Sequence, residues 1–391
     1  MNLKIFDETL RDGEQQAGLF MSLENKYTLA RMILETGVHY IDIMPVIHES
    51  EGDLVSFLSR SGHREKVIPA TILKKEDIDL LDVWGINKLI LFAACSDRLI
   101  KIRDKHIGIE LTEGLPDEEK VKGARERNAH NILRMVKYAS MQKKKQVFFA
   151  LEDATRADIG YLNELLMELA PYTKSILLCD TVGVLTPSKS YDWVKSIVPS
   201  VPCDIGIHFH NDMGLALENT LRAVEAGATV ISGTFRGIGE RAGNVSLEQV
   251  LNGLRERFSV TLSDIHYDKV EQLCNHMDAM GYKAAAPYSK ESKRHESGIH
   301  VNALLHDKQA YCIFEGQEPE IWFGKFSGSS NFKYLFEKIL HTSLEDEEYN
   351  FLRYAIKNKS YMEQRCFSSD EVIKMLHAGE ISLKPLKMYQ K

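Results

Sequence analysis

Residues 204–212, DIGIHFHND, predict a buried β-strand that ends in polar side chains. The apolar part is short and rich in isoleucine, which is typical of a parallel strand covered on both faces. Seven more runs of this kind occur along the chain, and amphipathic segments separate them. The full series is LKIF (3–6), YIDIM (40–44), VIPATIL (67–73), INKLILFAA (86–94), QVFFAL (146–151), SILLCD (175–180), DIGIHFH (204–210) and TVISGTF (229–235). Eight such strands alternating with helices predict an α/β fold in the form of a closed (β/α)₈ TIM barrel.

The segments between the runs carry helix signals. Ser22 is a favourable N-cap, and Gly37 is placed to end the same helix before the second strand. The connection at residues 97–145 is longer than one helix requires. We therefore expect a polar insertion at residues 104–117, followed by a helix near residues 118–142.

The chain has 391 residues, which exceeds the roughly 250 residues of a typical barrel. The alternation of strands and helices stops after the eighth strand and its helix, which predicts a catalytic barrel domain at residues 1–262 and a mainly helical C-terminal region at residues 263–391. In that region we expect a helix at residues 264–280, a loop at residues 287–300 and short helices at residues 328–391. We interpret the C-terminal region as a lid or interface module.

Charge and composition exclude several classes of function. Lys plus Arg total 49 against 56 Asp plus Glu, a net charge of −7, so neither nucleic acid nor an anionic membrane is an expected partner. The six cysteines form no CxxC pair, which predicts reduced thiols. No apolar run approaches the roughly 18 residues of a membrane span, and the N-terminus turns polar too early for a secretory signal. We expect a cytoplasmic protein.

Two histidines stand where a barrel gathers its ligand-binding side chains, at the carboxyl end of a strand. His208 and His210 are two residues apart on one strand, so both are predicted to point into the barrel interior. Neighbouring imidazoles are suitable ligands for a divalent metal. A pair of hydrogen-bonded core histidines is the alternative interpretation of the same pattern.

Other strand ends place polar groups at the same rim. The first strand continues into DETLRDGEQ, where one carboxylate is able to complete a site of two histidines and one carboxylate. Arg11 in that segment is suited to clamp a substrate carboxylate with two hydrogen bonds. A solvated acidic loop is the alternative there. Glu152 follows the fifth strand, Thr181 follows the sixth, and Asn244 offers a carbonyl oxygen after the eighth.

A further histidine lies in the C-terminal region, in RHESGIHVNALLHD at residues 294–307. His300 is flanked by Gly298 and Ile299, in a segment that we expect to be mobile. Histidine titrates near neutrality, so His300 is a candidate acid or base that swings over the barrel mouth. A purely structural histidine is the alternative.

Together these segments resemble the homocitrate, 2-isopropylmalate and citramalate synthases of the DRE-TIM metallolyase superfamily. The resemblance covers roughly residues 3–330 and rests on six motifs in the family's order, namely LRDGEQ (10–15), EDATR (152–156), DTVG (180–183), HFHNDMGLA (208–216), GIGERAGN (237–244) and HESGIH (295–300). It implies a barrel that holds one divalent cation, Mn²⁺, Mg²⁺, Zn²⁺ or Co²⁺. It also implies a homodimer in which the C-terminal region covers the partner subunit's active site.

The resemblance assigns roles to particular residues. The implied metal ligands are Asp12, His208 and His210, with Asn244 at a fourth position. The implied catalytic set comprises Arg11, which offsets developing charge, Glu152 in the same pocket, and His300 as the base, acting in the other subunit.

Substrate binding is assigned in the same way. Arg11 and Thr181 match the residues that hold the 2-oxo acid, and Gln15 lines the same pocket. The second strand departs from the family pattern, because Asp42 stands in the stretch that shapes the pocket for the 2-oxo acid side chain. Phe326 departs as well, since it stands in GKFSG where relatives carry a histidine.

The implied activity is the metal-dependent condensation of acetyl-CoA with a 2-oxo acid, followed by hydrolysis of the thioester. This is the reaction type of acyltransferases that convert the acyl group into an alkyl group, and the chain is most similar in form to homocitrate synthases. The alternatives within the superfamily are a 2-isopropylmalate synthase, a citramalate synthase and a metal-dependent lyase. An inactive barrel retained as a binding subunit is the alternative from another class, and the intact set of Asp12, His208 and His210 argues against it.

Overall fold

The computed structural model describes residues 2–104 and 117–382. All eight predicted strands are present, and each overlaps its predicted run. They are β1 (Lys4–Asp7), β2 (Tyr40–Ile41), β3 (Ala70–Thr71), β4 (Lys88–Ala94), β5 (Gln146–Glu152), β6 (Ser175–Asp180), β7 (Asp204–Phe209) and β8 (Val230–Gly233). Every position of β6 is buried, as expected for a parallel strand covered on both faces.

The eight strands form one parallel sheet in the order β2-β1-β8-β7-β6-β5-β4-β3. The backbone beside its two end strands also pairs. Ile41 and Val67 form a parallel bridge, and the N–H of Ile68 donates to the carbonyl of Ile41 at 3.0 Å. The N–H of Ala70 donates to the carbonyl of Ile43 at 2.9 Å. These bonds close the curled sheet, which confirms the predicted TIM barrel.

Helices connect the strands and cover the outside of the barrel. In the described part of the chain they are α1 (Leu23–Glu35), α2 (Glu49–Leu58), α3 (Lys75–Leu80), α4 (Asp97–Arg103), α5 (Asp117–Lys137), α6 (Ile159–Leu169), α7 (Pro187–Ile197), α8 (Ala216–Glu225) and α9 (Leu247–Phe258). Helix α5 is the helix expected near residues 118–142, within the long fourth connection. The polar insertion expected before it lies almost entirely outside the described residues.

The ends of α1 follow the sequence signals. The hydroxyl of Ser22 accepts a hydrogen bond from the N–H of Asn25 at 3.2 Å, as an N-cap does. Gly37 after the helix has φ of +86°, and a Cβ atom there would lie 1.7 Å from the carbonyl oxygen of Asp264. Only glycine fits this close approach, so the turn also fixes where the C-terminal region begins to pack on the barrel.

Apolar side chains fill the barrel interior. Phe6, Ile90, Phe148, Leu177 and Val230 come from five different strands, and each is at most 2% exposed. The rings of Phe6 and Phe148 lie 6.1 Å apart, centroid to centroid. Because this layer is packed, the polar cavity of the barrel is confined to the carboxyl ends of the strands.

The C-terminal region builds a second core against the barrel rim. Its elements are α10 (Tyr267–Ala279), β9 (Arg294–His295), α11 (Gly298–His306), β10 (Glu320–Phe323), α12 (Ser329–Lys333), α13 (Asp346–Glu363), β11 (Phe367–Ser368) and α14 (Ser369–Ala378). Helix α10 was expected. The predicted loop at residues 287–300 was wrong in its second half, where backbone pairing with β10 forms β9 and where α11 begins. The 18-residue α13 is also longer than the short helices expected there.

A buried cluster of four charges joins the C-terminal region to the barrel. Lys26 and Lys325 both contact the carboxylates of Glu14 and Glu51, with Lys26 Nζ 2.5 Å and Lys325 Nζ 3.2 Å from Glu51. All four side chains are at most 5% exposed. Lys325 comes from the C-terminal region and the other three from the barrel. Each charge therefore has opposite charges as neighbours, which a buried ion needs.

All six cysteines are free, and five of them are buried. In the described residues, no helix is both long enough and apolar enough to cross a lipid bilayer.

Candidate active site

The carboxyl ends of the strands surround a cavity of about 400 Å³. The structure brings nine of the ten predicted site residues into its lining, namely Arg11, Asp12, Gln15, Asp42, Glu152, Thr181, His208, His210 and His300. The tenth, Asn244, contacts Asp12 directly: its Nδ2 donates to Asp12 Oδ1 at 2.8 Å. Sequence positions more than 200 residues apart thus meet in one pocket.

Asp12, His208 and His210 form a compact buried cluster. The Nε2 atoms of the two histidines lie 3.2 Å apart. Asp12 Oδ2 lies 3.6 Å from His208 Nε2 and 4.0 Å from His210 Nε2. In the described part of the chain, this is the one group of at least three His, Cys, Asp or Glu side chains with the geometry of a metal site.

The protonation of these three side chains suits a cation. Burial lowers the pKa of His208 to about 4 and the pKa of His210 well below its ordinary range, so both imidazoles are neutral at pH 7. Burial opposes the ionisation of Asp12, but the charge of Arg11, the neighbouring histidines and the hydrogen bond from Asn244 together outweigh it and hold the pKa of Asp12 well below its usual range. Two neutral imidazoles and one carboxylate are the ligand forms that a divalent metal requires.

Surrounding residues orient the cluster for a cation. The Nδ1 atom of His208 is paired with the Ser232 hydroxyl at 3.0 Å, which leaves Nε2 directed at the cluster. The Ser232 hydroxyl in turn donates to Glu8. Asn244 Oδ1 is buried without a hydrogen-bond partner, so this carbonyl oxygen is available as a further ligand. The residues present therefore fit a metal ion.

Gly239 is the backbone position that lets Asn244 approach Asp12. A Cβ atom at Gly239 would lie 2.1 Å from Asn244 Nδ2 and 2.7 Å from Asp12 Oδ1. The residue also has φ of +151°, which side chains rarely allow. The second glycine of the GIGERAGN motif is thus required by the geometry of the candidate metal centre.

Arg11 neutralises a group of carboxylates at the cavity wall. Its guanidinium contacts Glu8, and it lies 2.9 Å from Asp12 Oδ2 and 2.8 Å from Asp42 Oδ2. Burial disfavours the charge of Arg11, but these carboxylates outweigh it and raise the pKa of Arg11. Asp42 thus contacts the arginine directly, and its predicted role in substrate binding stays a prediction.

Glu152 is fully engaged by two partners. Arg103 donates to Glu152 Oε1 at 2.8 Å and also contacts its second oxygen. The hydroxyl of Tyr311 donates to the same Oε1 atom at 2.5 Å. Burial raises the pKa of Glu152, but the charge of Arg103 and the hydrogen bonds from Arg103 and Tyr311 together lower it to about 2. The carboxylate is therefore ionised at neutral pH, and its contacts place Tyr311.

His300 lines the cavity of its own chain and lies on a helix, where the sequence predicts a loop. It belongs to α11, and its Nε2 atom lies 2.8 Å from Glu240 Oε2. Its ring stacks on Tyr311 with the centroids 3.6 Å apart. The Nδ1 atom is buried and has no hydrogen-bond partner. With Nε2 held by Glu240, Nδ1 is the nitrogen free to accept a proton.

Thr181 and a buried ion pair complete the rim. The hydroxyl of Thr181 accepts from the N–H of Asp153 at 2.8 Å, which leaves its proton available to a ligand. Its carbonyl accepts a hydrogen bond from Arg241. Arg241 forms a two-pronged contact with Asp212 at 2.9 and 3.0 Å. This pair links the HFHND motif to the GIGERAGN motif.

Sequence reasoning missed three residues that shape the site. Glu240 stands inside a quoted motif, so its carboxylate could have been found there. Tyr311 and Arg103 lie in segments without a motif and gave no such signal. His48 and Glu49, which follow β2, are not among the residues that line the cavity. His48 caps α2, and its ring stacks on Tyr361 with the centroids 3.7 Å apart.

The closed barrel and the buried Asp–His–His cluster at its carboxyl-terminal rim define a TIM-barrel protein with a candidate metal centre. The family comparison is specific, because the model of the HMGL-like family matches residues 2–275. The chain belongs to the HMGL-like family, the family of the DRE-TIM barrels expected from the sequence motifs.

Named relatives agree with that assignment, and a solved structure has a similar fold. The chain is 32% identical over 337 residues to homocitrate synthase AksA of Methanothermobacter thermautotrophicus, covering 83% of this chain and 81% of that protein. It is 30% identical over 364 residues to 2-isopropylmalate synthase 2 of Caldanaerobacter subterraneus, covering 89% and 88%. The HMG-CoA lyase structure of Bacillus subtilis is similar with a TM-score of 0.57 at 18% identity, covering 75% and 97%. At that identity the last likeness shows the fold.

Proposed function

We propose that this protein catalyses the condensation of acetyl-CoA with a 2-oxo acid, followed by hydrolysis to a 2-hydroxy diacid or triacid and free CoA. One observation carries the proposal: Asp12, His208 and His210 share a single cavity with Thr181 and with the His300–Glu240 pair. The relatives named as homocitrate and 2-isopropylmalate synthases support this choice of reaction.

The residues divide the work of this reaction. A divalent cation held by the cluster supplies Lewis-acid polarisation of the ketone. The hydroxyl of Thr181 donates to the carboxylate of the 2-oxo acid, and Arg11 offsets the negative charge that accumulates beside it. Nδ1 of His300 removes a proton from the thioester methyl group, and the resulting carbon attacks the ketone carbon. Water then cleaves the thioester, which releases CoA and makes the reaction effectively irreversible.

Several finer points belong to the same proposal. Mn²⁺, Mg²⁺, Zn²⁺ and Co²⁺ are the candidate cations, since imidazole and carboxylate ligands suit all four. The six free cysteines support a reducing, cytoplasmic location.

A homodimer is implied by the family resemblance. The described lining of the pocket, His300 included, comes from one chain, and the crossing of the C-terminal region to a partner subunit stays a prediction.

The proposal is tested by following the release of free CoA from acetyl-CoA. Each of the four cations is combined with pyruvate, 2-oxoisovalerate, 2-oxoglutarate or oxaloacetate as acceptor. We expect one acceptor to stimulate CoA release and His208→Ala to abolish the stimulation. If no acceptor stimulates release with any cation, the synthase function is wrong. Cleavage of a hydroxyacyl-CoA by the same samples would favour the lyase alternative.

A further inference from the structure

Helix α13 of the C-terminal region presents two cations to the active-site cavity. Arg353 and Lys357 are four residues apart, so they lie on one face of the helix. Both line the 400 Å³ cavity that also contains the Asp12–His208–His210 cluster. Both side chains are half-buried.

Neither cation has an anionic partner. Among residues 2–104 and 117–382, no carboxylate oxygen lies within 4.0 Å of Arg353 or Lys357, whereas the buried Lys325 of the same region is paired with Glu14 and Glu51. The Nε atom of Arg353 is buried without a hydrogen-bond partner. Its guanidinium carbon lies 4.5 Å from the centroid of the Tyr354 ring. Burial, and then the like charge of Arg353, lower the pKa of Lys357 to about 8.

The carboxylates of the cavity are all committed elsewhere. Glu8, Asp12 and Asp42 bind Arg11, Glu152 binds Arg103, and Glu240 binds His300. Glu296 is the acidic group that acts on Lys357 from a neighbouring element, and it accepts its hydrogen bond from the N–H of Phe326. Lys325 adds a further positive charge nearby. The protein itself thus leaves two adjacent cations uncompensated, which costs free energy until an anion arrives.

The surrounding space admits a ligand larger than a small 2-oxo acid. Arg353 also lines a second cavity of about 860 Å³, and Ile72, Phe92, Ile299 and Gly328 are shared by both. The two cavities therefore meet beside Arg353. A group bound by Arg353 and Lys357 can belong to a ligand in either cavity.

We propose that Arg353 and Lys357 form an anion-binding site that holds a carboxylate or phosphate group of a substrate. Arginine and lysine bind both groups through charge-assisted hydrogen bonds. The two sources are the distal carboxylate of a dicarboxylic 2-oxo acid and the phosphates of acetyl-CoA. The identity of these substrates rests on the function proposed above, whereas the anion site itself does not.

Steady-state kinetics of the enzyme with its divalent metal ion distinguish the carboxylate of the 2-oxo acid from the phosphates of acetyl-CoA. Arg353→Met, Lys357→Met and the double variant are compared with Lys359→Met, a control on the same helix whose ammonium pairs with Glu363 and Glu380 outside the cavity. If the site binds a distal carboxylate, KM for 2-oxoglutarate rises about tenfold to one-hundredfold while KM for 2-oxoisovalerate is unchanged. If it binds phosphate, KM rises similarly for acetyl-CoA but not for S-acetylpantetheine, which lacks the phosphates.

Direct binding makes the result independent of turnover. Calorimetric titration with CoA and with 2-oxoglutarate is expected to show a matching loss of affinity in the Met variants and none in Lys359→Met. Arg353→Lys and Lys357→Arg keep the charge and are expected to retain most of the affinity. They also serve as the test variants at any position where the Met variant fails to fold. Unchanged KM and Kd values for all ligands in the double variant would overturn the anion site. A wild type that binds these ligands through the two cations but never releases CoA would instead refute only the proposed function.

Discussion

The Nε2 atom of His300 lies 2.8 Å from Glu240 Oε2, although the two residues belong to different parts of the chain. Glu240 follows the last barrel strand, and His300 lies on the first turn of α11. The carboxylate fixes the tautomer and the orientation of the imidazole, so that Nδ1 is the nitrogen left to accept a proton. This pairing makes the proposed base depend on the contact between barrel and C-terminal region.

The first prediction concerns this pair. His300→Ala is expected to lower kcat by about 10²–10⁴-fold, the usual contribution of a general base, with little change in binding of the 2-oxo acid. Glu240→Gln should lower kcat less, because the imidazole remains. Steady-state kinetics with calorimetric binding of the 2-oxo acid separate the two effects. Wild-type turnover in His300→Ala would remove this residue from the mechanism.

The second prediction concerns Gly239. Gly239→Ala should strongly weaken metal binding, because the new Cβ atom would meet Asn244 Nδ2 at 2.1 Å and Asp12 Oδ1 at 2.7 Å. Gly123→Ala on α5 is the matched control, since the atom nearest to a Cβ there is the flexible end of Arg127 at 3.2 Å. Metal content after dialysis measures the outcome. Equal metal content in both variants would contradict the proposed metal centre.

The third prediction compares two ion pairs. Asp212→Asn should destabilise the fold by about 3–5 kcal/mol, because it leaves the fully buried Arg241 without its charge partner. The exposed pair of Arg257 and Glu218 provides the control, and Glu218→Gln should cost less than about 1 kcal/mol. Urea unfolding of the two variants gives the comparison. Similar free energies of unfolding would show that Arg241 finds another partner.

The fourth prediction concerns the pH dependence of stability. Burial raises the pKa of Glu296 from 4.5 to about 7, so the folded protein favours the protonated carboxyl. This contribution to stability is fully present below about pH 4.5 and is lost as the pH rises through 7. Relative to Glu296→Gln, the wild type should therefore lose up to about 3 kcal/mol between pH 4.5 and pH 8. Parallel curves of unfolding free energy against pH would refute the shift.

The sequence predicts the barrel well because each strand is a local signal. An apolar run such as SILLCD predicts a strand buried on both faces from its own residues alone, and β6 spans those six residues. The strand period of two also places His208 and His210 on one side without any tertiary information. These features depend on residues close together in the chain.

The partners of the site residues were beyond local reasoning. Nothing beside Glu152 indicates that Arg103 and Tyr311 bind it, since those contacts span 49 and 159 positions. The expected loop around residue 294 became β9 because it pairs with β10, about 25 residues later in the chain. Polar sequences with glycine predict a loop locally, and only tertiary pairing overrides that preference.

The four-charge cluster of Glu14, Lys26, Glu51 and Lys325 bears on where this chain can be divided. The alternation of strands and helices suggests a cut after residue 262, but that cut would remove Lys325 and leave two buried carboxylates with one ammonium. An isolated barrel would have to take up a proton or admit water at this point to stay folded. The repeating pattern of strands and helices therefore ends before the set of residues that balances the buried charges is complete. That set includes a residue of the C-terminal region.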